Sequence, residues 1–368
     1  MGDVIEFIKK EIVLFVFLFL FIILSVLHPY EIASYPSFVD WKTIITLTGL
    51  LIITTGLKES NFFVVFSKKL LMRLKTEKSL SLFMILLSAL LSTFLTNDIT
   101  LFIVVPLTIS MQNIVKNDIS KLVIFEAISV NVGSALTPIG NPQNIFLWHR
   151  WGISFITFIV KMLPLVTLLL GTLLIFARFV FPEKELKILE RSNDIKHDKV
   201  LFTVSIALLI IYVLSIETGY SEVVLPLIFA IFLIFYRRVL LKVDWLLLLL
   251  FAIIFVDFHI IASVSIISKS VNTINLHSAG NVFLFSVLTS QLFSNVPASV
   301  FVSKFTHNWT AITYGVNVGG NGLATASLAN IIALRMMKSK KIWIKFHRYS
   351  IPYFLITGWI VYAFFYVL

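Results

Sequence analysis

The side chains able to do chemistry in this sequence sit in short polar stretches inside long apolar runs. NVGSALTPIGNPQN, residues 131–144, carries Asn131, Asn141, Asn144 and Gln143 among two glycines and two prolines. A second stretch, NVGGNGLATASLAN at 317–330, has the same length, begins with the same Asn-Val-Gly and ends at Asn330. Glycine and proline are poor helix formers, and lipid cannot satisfy the backbone groups they free. Each stretch therefore predicts a helix broken inside a membrane. Gly133 suits the end of one half-helix. Asn141 suits the cap of the next, with Pro142 in its first turn, and Ser327 holds the place of Asn141 in the second stretch. Such a break leaves a carbonyl end that favours cations and an amide end that favours anions. Asn131 and Asn317, with Thr96, Asn97 and Asn295 from two nearby polar turns, can hydrogen-bond whatever sits between those ends. The bland alternative is close helix packing through the glycines. Two stretches in matching register, each paired with a polar turn, favour binding.

Ionisable residues inside the apolar runs are few. Each costs about 2.5–3.5 kcal/mol on insertion scales, which invites a functional reading. Asp98 lies beside Asn97, where it can hold a sodium ion, carry a coupling proton or cap a helix in a watery vestibule; the coupling role is favoured. Asp257 and His259 lie two apart in FVDFHII, on nearly opposite sides of a regular helix. Asp257 reads evenly as a proton carrier or as a group paired within the scaffold, and His259 as a hydrogen-bonded structural residue. Glu126 falls ~7 Å into its helix, within reach of the interface, and Lys161 snorkels. Other chemistry has no residues to carry it. There is no cysteine, and the seven histidines lack metal-ligand spacing. No Walker A, H-E-x-x-H or G-x-S-x-G pattern occurs. The chain reads as a non-enzyme without a cofactor, and with no metal beyond a sodium ion at Asn97 and Asp98. Any pumping draws on an ion gradient or a separate partner ATPase.

The elements that must hold these residues follow from composition. The 368-residue chain is 58% hydrophobic and 13% charged, with apolar runs along its whole length. It predicts an all-α polytopic membrane protein of about nine full spans plus two re-entrant hairpins. Full spans are expected at 12–28 (an uncleaved first helix), 41–57, 164–181, 200–216, 221–236, 245–268 and 350–367. A basic amphipathic segment is expected at 58–78, an interfacial piece at 151–163 and a charged linker at 182–199. Hairpin arms 79–95 and 99–115 flank TND, and arms 281–293 and 298–305 flank SNVP. The broken helices fall at 121–150 and 311–336. The second hairpin's arms, about 13 and 8 residues, are too short to cross ~30 Å at ~1.5 Å per residue, and symmetry extends re-entrance to the first. The net charge of +11 would suit nucleic acid, but 25 of the 30 lysines and arginines fall on one side of this layout. That asymmetry predicts an N-terminus on the inner side of a plasma membrane. The five exceptions are Lys42, Arg150, Lys161, Lys269 and Lys304. Residues 1–181 and 221–368 then form two inverted repeats joined by 182–220, the plan of secondary transporters.

STFLTNDITLFIVVPL, GSALTPIGNPQN and NVGGNGLATASLAN resemble the hairpin and the two unwound helices of the ion transporter superfamily. That group includes arsenite permeases, NhaD-type sodium/proton antiporters and citrate-transporter-like divalent-anion/sodium symporters. The resemblance covers most of the chain and is nearest to the arsenite-permease-like anion permeases. It implies a site between the hairpin tips and unwound helices, moved by an elevator or rocking motion. It carries that site onto Thr96, Asn97, Asp98, Asn131, Gly133, Asn141 and Asn144, and onto Ser294, Asn295, Asn317, Gly319, Gly320 and Asn330. The symporters show Ser-Asn-Thr at both tips, whereas this chain reads Thr-Asn-Asp and Ser-Asn-Val, which leaves a sodium site at the second tip unsupported. The expected function is a secondary transporter of a small anion or a neutral oxyacid such as arsenite, coupled to H⁺ or Na⁺. A Na⁺/H⁺ antiporter using Asp98 and Asp257 is the alternative. The expected partners are the lipid bilayer and a small-molecule or ion substrate, not nucleic acid; a homodimer is compatible with the chain.

Overall fold

The structure, a computed structural model, describes residues 11–71, 74–111, 119–185, 196–337, 339 and 341–367. The described residues form helices and no strand beyond one isolated bridge between Thr76 and Glu185. Helix α1 (Ile12–Leu27) ends two residues before Pro29, leaving His28, the residue preceding the proline, outside the helix, as the restriction on that position favours. The chain turns by 114° there into a 3₁₀ turn and a short α2 (Tyr35–Phe38). Asp40 then caps α3 (Trp41–Glu59) by accepting from the Thr43 amide. The predicted basic segment resolves into the end of α3, α4 (Phe62–Leu71) and the start of α5 (Glu77–Phe94); its residues 72–73 lie outside the described residues.

The first polar turn separates α5 from α6 (Asn97–Met111), and the first break separates α7 (Ser120–Ser134) from α8 (Pro142–Trp151). The predicted interfacial piece at 151–163 and span at 164–181 are instead one 26-residue helix, α9 (Phe155–Val180), running through Pro164. Tyr314 donates to the Lys161 carbonyl at 2.6 Å, in the turn that the proline leaves short of donors. Of the linker at 182–199, residues 186–195 lie outside the described residues. Next come α10 (Lys199–Glu217), α11 (Ser221–Phe235), α12 (Arg237–Leu240) and α13 (Trp245–Ser263). The last ends five residues earlier than expected, and a separate α14 (Ser265–Asn272) follows. The second hairpin is α15 (Ala279–Phe293) and α16 (Asn295–Val302), and the second break separates α17 (Trp309–Gly319) from α18 (Leu328–Met336). The final helix α19 (Lys341–Tyr362) starts nine residues before the predicted 350. Among the described residues five helices are long and apolar enough to cross a membrane, or six if the bent pair at α1 counts as one span.

Contacts between helix ends define two faces. At the lower face Glu59 accepts from Lys242, Asp198 donates its amide to Ser60 O at 2.9 Å, and Glu77 donates to Lys184 O at 2.8 Å. Lys345 reaches Ser120 Oγ there at 2.5 Å, at the start of α7. At the upper face Thr46 Oγ1 meets His149 Nε2 at 2.9 Å, and Glu217 accepts from the Phe155 amide at 2.9 Å. The α15–α16 hairpin has both outer ends at the upper face, where Thr306 donates to Leu276 O at 3.3 Å. The α5–α6 hairpin opens the other way. Lys58 sits 4.6 Å over the Phe102 ring, and Thr108 Oγ1 donates to Glu126 Oε1, low on α7, at 2.5 Å.

Candidate binding site

The two fourteen-residue stretches cross at the centre of the molecule, and their polar side chains bond reciprocally. Asn131 Nδ2 donates to Asn330 Oδ1 at 2.9 Å, and Asn317 Nδ2 donates to Asn144 Oδ1 at 2.9 Å. The first asparagine of each stretch thus meets the last asparagine of the other. The eleventh residues follow suit: Ser327 Oγ donates to Asn131 Oδ1 at 3.0 Å, and Asn141 Nδ2 donates to Asn317 Oδ1 at 3.1 Å. Within its own stretch each last asparagine closes the break. Asn144 donates to the carbonyls of Ser134 and Thr137, and Asn330 to those of Gly320 and Leu323, the fourth and seventh residues in both cases. All five asparagines are at most 4% exposed. Buried amides must be paired or cost about 1–3 kcal/mol each, so the crossing is held by mutual satisfaction.

The hairpins clamp onto the breaks with the same symmetry. The third residue of each stretch is a glycine set against the first hairpin arm. A Cβ on Gly133 would collide with the Ala89 carbonyl, and one on Gly319 would lie 2.6 Å from Ser290 Cβ. Gly133 is therefore a close-approach residue inside α7. It is not the cap predicted from sequence; that position is held by Ala135 in right-handed conformation. The carbonyls of these glycines, each already accepting a backbone turn bond, also accept from the residue four before each tip asparagine: Thr93 Oγ1 bonds Gly133 O at 3.2 Å, and Gln291 Nε2 bonds Gly319 O at 2.6 Å. The seventh residue returns the contact, with Thr137 Oγ1 donating to Thr93 O at 2.6 Å and Leu323 N donating to Gln291 Oε1 at 2.9 Å.

The caps differ. Asn141 caps α8 as predicted, accepting from Asn144 N at 2.9 Å with Pro142 next. Ser327 occupies the corresponding position before α18 but makes no side-chain cap bond; its hydroxyl instead donates to Asn131. The tips differ too. Asn97 N donates to Gly140 O at 3.0 Å, tying the first tip to the first break. At the second tip Ser294 adopts φ +79°, an uncommon conformation for a residue with a Cβ, and a Cβ on Gly320 would lie 3.1 Å from Asn295 Nδ2.

Against this satisfied framework, several buried oxygens have no partner among the described residues: Thr96 Oγ1, Asp98 Oδ1 and Thr100 Oγ1 at the start of α6, and the amide oxygens of Gln143 and Asn321 in the two stretches. Asp98 and Asn97 are 6% and 4% exposed, and Asn97 Oδ1 accepts from Asp98 N at 3.0 Å. Asp257 lies on α13, away from the two stretches in sequence, fully buried with both carboxyl oxygens unpartnered. No group of three or more His, Asp or Glu suited to a metal occurs among the described residues. Sequence reasoning gave no role to Thr93, Gln291, Gln143 and Asn321. The shared four-residue offset of Thr93 and Gln291 from the tip asparagines was readable; the other two lay inside quoted stretches and stood out only as unpaired atoms.

The model of the citrate transporter family, CitMHS, matches residues 4–329. An inner membrane protein of Escherichia coli K12, YbiR, is 41% identical over 332 residues, covering 90% of this chain and 89% of that one. An uncharacterized transporter of Methanocaldococcus jannaschii is 38% identical over 354 residues, 93% of this chain and 91% of its own length. A Dictyostelium discoideum protein carrying the transporter name arsB is 31% identical over 142 residues, 38% of this chain and 24% of that protein.

Proposed function

The chain belongs to the citrate transporter family and is a multi-pass membrane transporter, and on that premise we propose that it is a secondary carrier of a small anion or neutral oxyacid. It works by alternating access, coupled to H⁺ or Na⁺, with residues 1–181 and 221–368 as inverted repeats and the N-terminus inside. The observation that carries this reading is the reciprocal crossing of two broken helices, each clamped by a hairpin, with the hairpins opening to opposite faces. That is the arrangement in which a site near mid-membrane can be uncovered from either side.

The roles divide by what each residue already bonds. Asn131, Asn141, Asn144, Asn317 and Asn330, with Gly133, Gly319 and Gly320, form the wall of the site, and their side-chain bonds must rearrange as the repeats move. Thr96, Asn97, Ser294, Asn295, Gln143 and Asn321 meet the substrate. Asp98, with a buried, unpartnered carboxyl oxygen beside Asn97, is the first candidate to hold Na⁺ or a proton, and Asp257 is the second.

The chain has no cysteine, so single cysteines at Asn97 and Asn295 report cleanly. Each should be labelled from both sides of the membrane, in proportions that substrate shifts. Labelling from one side in every condition removes the shared site. In vesicles, sodium-driven collapse of a pH gradient without anion uptake would replace this reading with cation/proton exchange.

A further inference from the structure

The five basic residues outside the positive-inside pattern are Lys42, Arg150, Lys161, Lys269 and Lys304, and three of them gather at one place on the upper face. Lys304 Nζ lies 2.8 Å from His259 Nδ1, and the His259 ring stacks on Phe38 at 3.8 Å and 7°. Arg150 is within electrostatic range of both Lys304 and His259. Lys42 and Asp40 act in the same way on His149, the neighbour of Arg150, and Asp40 acts on Lys304. Lys42, Arg150 and Lys304 are exposed, and neither Lys304 nor Arg150 has a carboxylate within ion-pair distance among the described residues. Asp40 is the acid at hand, and one of its oxygens is committed to capping α3. Lys304 is thus steadied by an imidazole nitrogen, which orients the ammonium without cancelling its charge.

The position matters as much as the charge. Arg150 stands at the end of α8 and Lys304 just past the end of α16. These two helices pack together, and both start at the central site, at Asn141 and Asn295. With 10 and 8 residues, at about 1.5 Å per residue, they span ~12–15 Å from the site to the cluster. Their carbonyl ends would repel an anion at that mouth. Three cations against one carboxylate reverse the sign.

Resting on the anion-carrier reading above, we propose that Lys304, Arg150 and Lys42 form an outer docking site for small anions carrying two or more charges, such as a di- or tricarboxylate, on the way to the crossing. A neutral oxyacid gains nothing from it. The test uses the full chain in liposomes with one cysteine at His307, an exposed position three residues beyond Lys304. Anionic and cationic methanethiosulfonate reagents are compared, each scaled to its rate with a free thiol. The anionic reagent should be favoured. The K304Q/R150Q pair should lower the anionic-to-cationic ratio by about fivefold or more, and added salt should flatten the difference. Millimolar citrate, as probe, should slow anionic labelling in the parent and much less in the K304Q/R150Q background. A ratio unmoved by the two substitutions, or no citrate protection, overturns the docking site. Because this readout needs no transport, it fails or stands separately from the labelling of Asn97 and Asn295, which tests the carrier.

Discussion

At the scale of single residues, reciprocity is the feature to probe. Asn131→Ala removes the partner of both Asn330 and Ser327, and leaving those buried groups unpaired should destabilise the protein by roughly 1–3 kcal/mol, read as a drop in melting temperature. A double-mutant cycle between Asn131 and Asn330 should give a coupling close to that between Asn317 and Asn144; unequal coupling would mean that the two crossings differ in strength. Glycines should separate by environment. Gly133→Ala forces a methyl onto the Ala89 carbonyl and should abolish uptake or folding. Gly152→Ala meets open space and pays only for φ +60°, about 1 kcal/mol, so uptake should survive. Equal damage at both would remove the close-approach role assigned to Gly133. These residues show what a sequence conveys. Asn141 was legible as a cap because capping is local, between positions three apart. Asn131 meeting Asn330 was not, because residues 199 apart in sequence meet only through the packing of the whole molecule.

At the scale of elements, composition located the described parts of every hairpin and break to within a few residues (112–115 of the arm expected at 99–115 lie outside the described residues), since glycine, proline and asparagine inside apolar runs punctuate helices wherever they fall. It misplaced the limits of α9 and α19. Pro164 and Pro352 read as starts of spans, yet each lies inside a longer helix. Within lipid a helix tolerates proline when a neighbour supplies donors, as Tyr314 does at Lys161, and that neighbour is invisible locally. The clamp residues make an element-scale prediction. Thr93→Val keeps the shape, and keeps the Thr137 bond to the residue-93 carbonyl, but deletes the hydroxyl's bond to Gly133 O. It should loosen the α5–α6 hairpin from the first break, seen as faster labelling of a cysteine at Asn97 with little loss of folded protein. An unchanged rate would mean that packing at Gly133 holds the hairpin alone.

At the scale of the molecule, the lysines and arginines were the most legible signal. The structure gathers ends of α3, α5, α7, α10 and α19 on the face that most of them share. The exceptions made sense only in three dimensions, where Arg150 and Lys304 come together from residues 154 apart in sequence. The central crossing also bears on how the protein is made. Half of its partners lie beyond residues 182–198, so the N-terminal half of the chain leaves the ribosome with Asn131 and Asn144 waiting for mates that have not yet been synthesised. Each half is in effect an address for the other. A chain cut within 182–198 and expressed as two pieces should reassemble into a working carrier, and the first piece expressed alone should be degraded.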